Sequence, residues 1–158
     1  MISRPRKPGT LLLLLLVGIC HSFAAQAQRL SADQLKAQIF QTWHIQIADQ
    51  DLTAEIVPLI PAADLPVSMT DISAANETAC LTSVVTALSV YPASLVSGLI
   101  SRIAIADLIY AGSIRIGGFQ VPGLLALNCD QANAAASFDE DSIHNELAGL
   151  LLSKYSPD

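Results

Sequence analysis

The chain has 158 residues, with 8 lysines and arginines against 14 aspartates and glutamates, and 52% of it is hydrophobic. The resulting net charge of −6 argues against nucleic acid as a partner, because phosphate binding needs clustered basic side chains. Its apolar runs are shorter than the roughly 20 residues a spanning helix requires or are broken by Pro, Gly or charge, so no membrane span is expected after processing.

Residues 1–27 read as a secretory signal. Arg4, Arg6 and Lys7 precede an apolar core from Leu11 to Ile19, and Ala25-Gln26-Ala27 places small residues at the cleavage position. Ile19 before Cys20 does not suit lipid-modifying processing, which wants a small residue there. Cleavage after Ala27 predicts a mature chain, 28–158, destined for the periplasm or for secretion. The signal carries three of the basic residues and none of the acidic ones, so the mature charge moves to about −9. About 131 residues remain, the size of one domain with one core.

Ser31 and Gln34 form a capping box, with Leu30 and Leu35 as the staple around it, so a helix starts here. From Trp43 the pattern becomes alternating: Trp43, Ile45 and Ile47 on one side, His44 and Gln46 on the other. That predicts a strand with His44 facing solvent. Asp49 to Asn76 lacks periodicity and is interrupted by Pro58, Pro61 and Pro66, which predicts an extended surface connector or edge strand.

Thr78 to Val90 predicts a helix whose buried face is Leu81, Val84, Val85 and Leu88, ended by Tyr91-Pro92. A short helical turn follows and stops near Gly98. Ser101 to Tyr110 is β-branched and apolar, as a strand requires. Gly112 predicts a turn, Ser113 to Ile116 an extended piece, Gly117-Gly118 a break, and Leu124 to Asn128 another strand. The glycine pair lacks both the G-x-G-x-x-G spacing and a P-loop lysine, which excludes a nucleotide loop. Two cysteines remain after processing, Cys80 and Cys129. An exported chain permits them to pair, and two buried free thiols are the alternative.

Phe138 to Tyr155 predicts the last helix, with an acidic start, Lys154 in its final turn, and Ile143, Leu147, Leu150, Leu151 and Tyr155 as the core stripe. The whole order gives an α+β fold: a small antiparallel or mixed sheet covered by helices. Within the last helix, Glu140 or Asp141 stands at helical spacing from His144, so a carboxylate and an imidazole could meet on a metal. Such spacing equally makes an ordinary surface pair.

The helix ending in Tyr91-Pro92, the strand Arg102 to Leu108, the glycines at 112, 117 and 118, the strand Leu124 to Asn128, and Phe138 leading to His144-Asn145-Glu146-Leu147 together resemble the zinc-binding metallopeptidases of bacterial envelopes. These belong to the wider zincin group, and the likeness covers about residues 78–155. It implies a zincin-like partial core with the last helix beside the sheet. It also implies Glu146 as the catalytic carboxylate, His144 as a metal ligand, and zinc as the cofactor of any active form.

Zincin chemistry sets two histidines at i and i+4 of one helix, with Glu at i+1 to polarise water. Aligned on Glu146, those positions hold Asn145 and Gly149, so the H-E-x-x-H region is degenerate. With only three residues after Tyr155, no following segment is expected to supply a third ligand. The expectation is therefore an exported protein with little or no peptidase activity and no cofactor. The alternatives are a non-catalytic envelope module that binds a peptide or an envelope protein, and an active metallohydrolase with atypical ligands.

Overall fold

The computed structural model describes residues 30–60, 66–130 and 140–155. The signal segment, Pro61 and Phe138 lie outside the described residues. The described chain is an α+β fold of five α-helices and a six-stranded mixed sheet. Helix α1 spans Ala32–Trp43, α2 Leu52–Glu55, α3 Ala74–Ser89, α4 Ala93–Ser97 and α5 Glu140–Tyr155. The strands are β1 Gln46–Ala48, β2 Val67–Asp71, β3 Ile100–Ala111, β4 Ile114–Arg115, β5 Gly118–Val121 and β6 Gly123–Asn128.

Helix α1 begins where its capping box requires. Ser31 N–H donates to Gln34 Oε1 at 2.9 Å, and Gln34 N–H to Ser31 Oγ at 3.3 Å. The helix runs through Trp43, further than alternation suggests, because Trp43 continues the buried face of Leu35 and Ile39. His44 is therefore its left-handed C-cap, at φ 58°, rather than a strand residue. The strand that follows starts only at Gln46.

Strand β3 is the hub. It pairs in parallel with β1 and β6 and antiparallel with β2 and β4. Strand β6 lies between β3 and β5, so the chain leaves β3 through a two-residue hairpin, moves outward, and returns to fill the gap. β5 itself is not anticipated by the sequence pattern. Gly118 opens it rather than breaking it, because a Cβ there would meet the Ala126 carbonyl oxygen at 2.5 Å.

Two bulges decide which side chains of β3 face the helices. Ser101 is left unpaired between the Ile100–Gly123 and Arg102–Leu124 pairs, so Ile100 and Ile103 fall on one face. Asp107 is the extra residue opposite Thr70 and Asp71, which sends Ile109 to the same face as Ala104 and Ala106. Its displaced carboxylate accepts from Ser73 Oγ at 3.2 Å and Asn76 Nδ2 at 2.8 Å, fastening β3 to the start of α3. The amide of Asn76 is thereby committed to a bond inside the protein.

The larger core packs α1, α3, α4 and α5 on one sheet face, around Ile103, Ile105, Leu125 and Leu127. The second face is also covered, contrary to the expectation of a surface connector from Asp49 to Asn76. Leu52 and Ile56 are fully buried there against Ala104, Ala106 and Ala126. Asp71 makes this possible by accepting from the N–H groups of Asp51 and Leu52, each at 3.0 Å, which starts α2. Burial of these two side chains contributes about 1.5–3 kcal/mol each.

Lys36 of α1 joins Asp49 and Glu77. Partial burial alone would lower its pKa, but the two carboxylates outweigh that and hold it above the ordinary lysine value. Cys80 of α3 and Cys129, the residue after β6, are joined as a disulfide with Cα atoms 5.7 Å apart. No helix among the described residues is long and apolar enough to cross a membrane.

Candidate functional site

Helix α5 is seated by Ile143, Leu147 and Leu150, all buried in the core that α3 lines with Leu81, Val84 and Leu88. Leu151 is half-buried and Tyr155 is 65% exposed, so the expected core stripe ends before Tyr155. The buried register ends at Leu150, and the last turn is held at position 154. There Lys154 Nζ donates to the Gly98 carbonyl at 2.6 Å, and Tyr155 falls on the next flank.

His144 and Glu146 stand on opposite sides of that seat. Two residues along a helix is a rotation of roughly 200°, and the surroundings differ accordingly. His144 lies 2.8 Å through its Nδ1 from the Tyr91 hydroxyl, with ring centroids 5.5 Å apart. Tyr91 lies between Val90, the C-cap of α3, and Pro92, the N-cap of α4. Glu146 lies one turn before Gly149, the position where α5 abuts β5, and it is half-buried. Burial pushes its carboxyl above the ordinary glutamate range.

Gly149 marks the closest approach. A Cβ built there would overlap Gln120 Nε2 and lie 3.0 Å from Cδ and 3.2 Å from Oε1. Gln120 is the cross-strand partner of the fully buried Leu125, so both side chains project to the helix-bearing face. The Gln120 Oε1 atom is buried without a hydrogen-bond partner.

These residues do not fit zinc as a zincin helix would hold it. Asn145 is exposed, Gly149 has no side chain, and Gln120 lies against it. No group of three His, Cys, Asp or Glu side chains able to hold a metal occurs among the described residues. Asp141 is exposed and makes no ion pair with His144 among the described residues; the Glu140 side chain lies outside them. His44 is remote in role as well as sequence, edge-on to Phe40 at 6.4 Å.

His144 and Glu146 are absent from the linings of four cavities on the described surface. One of about 520 Å³ lies beside the end of α5, floored by Ile100 and Leu150 and rimmed by Ser97, Ser101, Ser153 and Lys154. Each rim group already donates to a backbone carbonyl: Ser97 to Ser94, Ser101 to Gly123, Ser153 to Leu150 and Lys154 to Gly98.

Tyr91 and Gln120 are the site residues that periodicity does not reveal. Tyr91 is visible in sequence only as a helix stop, and Gln120 sits in a strand without alternation. No family model, curated protein or solved structure matches this chain.

Proposed function

We propose that this chain is an exported, zincin-like domain with a degenerate metal site, serving the envelope as a binding or structural module rather than as a working peptidase. The observation that carries this reading is the separation of its two chemistry-bearing side chains. His144 turns to Tyr91 on one flank of α5, and Glu146 lies on the other, toward β5. A hydrolytic site needs its imidazole and carboxylate to converge on one water. Glu146 without a metal acts on a water whose pKa stays far above the roughly 7 reached on zinc.

The binding role is supported by the cavity of about 520 Å³ beside α5, whose floor is apolar and whose polar rim groups are engaged with their own backbone. An apolar groove without convergent polar groups suits a peptide or envelope protein more than a substrate that must be oriented for reaction.

Metal content of the purified mature protein, with a broad peptide-cleavage assay, tests the proposal. The expected result is far less than one zinc per chain and no cleavage sensitive to chelators. One tightly held zinc per chain with chelator-sensitive cleavage overturns it.

A further inference from the structure

We infer that Gln120 is an internal plug: its carboxamide fills the volume that a second imidazole on α5 would occupy, so the Glu146 flank is closed by the protein's own sheet. This inference rests on the zincin-like reading of α5 and adds what stands in the vacated place. An H-E-x-x-H helix carries its second histidine three residues after the glutamate, which here is Gly149. Three atoms of one carboxamide lie within 3.2 Å of where the Cβ of residue 149 would stand. A side chain of any size at 149 therefore meets Gln120 before it meets anything else.

One feature directs the carboxamide there and one opposes it. The pairing of Gln120 with Leu125 points it at α5, and its Oε1 is buried without a partner. A glutamine free to swing outward would take that oxygen to water, because a buried acceptor without a donor is costly. Its retention means that packing against α5 outweighs the lost hydrogen bond. Loss of the zincin ligands and filling of their space are thus two sides of one contact, between a glycine and a glutamine.

A double-mutant cycle tests the plug. Gly149→Ala, Gln120→Ala and the pair are compared by denaturation midpoint. Alanine is intrinsically the better helix former, so Gly149→Ala should lower the midpoint when Gln120 is present and leave it unchanged or raise it when Gln120 is alanine. The same effect in both backgrounds, or stabilisation by Gly149→Ala alone, overturns the inference. As a second readout, Asn145→His/Gly149→His should bind zinc at least about 10-fold more tightly with Gln120→Ala than with Gln120 retained; equal affinities count against the plug. Zinc and cleavage in the native protein would refute the proposed function, whereas an uncoupled cycle would refute only the plug.

Discussion

The hydroxyl of Tyr91 and Nδ1 of His144 lie 2.8 Å apart, across 53 residues of chain. The bond fixes the first half of α5 to the junction between α3 and α4, and it uses one of the two nitrogens through which His144 could serve a metal. Tyr91→Phe keeps the ring and removes the hydroxyl. A loss of about 1 kcal/mol is expected, the usual net worth of one hydrogen bond, measured by urea denaturation. If Tyr91 alone withholds His144 from metals, zinc affinity should rise in this variant; the mismatched flanks of α5 predict that it does not.

Glu146 gives a pH signature. Burial raises its folded-state pKa, so the folded chain holds that proton more firmly than the unfolded chain. Stability is then lost as pH rises from the unfolded glutamate value, about 4.3, through the higher folded one, and is level beyond it. Glu146→Gln removes this slope. The variant should match or exceed the native protein in stability at neutral pH, and the difference should vanish below pH of about 4. Thermal melts across pH check it.

The disulfide between Cys80 and Cys129 spans a sequence separation of 49 residues. A closed loop of that length corresponds to about 4 kcal/mol in the chain-entropy account. Cys80→Ala/Cys129→Ala should therefore lower the unfolding free energy by an amount of that order. Reductant should affect the native protein only once unfolding exposes the bond, since both cysteines are fully buried.

Asp107 holds the first turn of α3 from its bulge in β3. Asp107→Ala leaves Ser73 Oγ and Asn76 Nδ2 without this acceptor. Bonds to a charged group are worth about 1.5–3 kcal/mol, and partial exposure places the expected loss near the lower end. Hydrogen exchange should show the greater opening at residues 74–77 rather than uniformly through α3.

Strongly periodic elements were legible in the sequence: α1 from its capping box, α3 from Leu81, Val84 and Leu88, and the long apolar β3. Segments whose placement depends on tertiary contact were not. Leu52 and Ile56 are buried against a second sheet face that carries alanines at 104, 106 and 126 beside Ile109 and Leu124, a contact that no local pattern announces. β2 alternates about the buried Met69, but over five residues only, and its place is set by pairing with β3. The bulges at Ser101 and Asp107 were hidden because each is a polar residue within a mostly β-branched and apolar run, and only the pairing with β6 and β2 reveals it. For the site, the divergence of His144 and Glu146 follows from helical rotation alone, but their neighbours Tyr91 and Gln120 come from distant segments.

The position of β6 inside the sheet, between β3 and β5, constrains the order in which the fold can be completed. The β3–β4 hairpin closes locally, yet residues 100–106 of β3 keep one edge open until Gly123–Asn128 has emerged and slid into place. During that interval the long strand at the centre of the sheet presents unpaired N–H and C=O groups. Such an edge invites association with other chains. Substitutions that slow the docking of β6 should therefore lower the yield of folded protein more than its final stability, a kinetic liability built into the strand order itself.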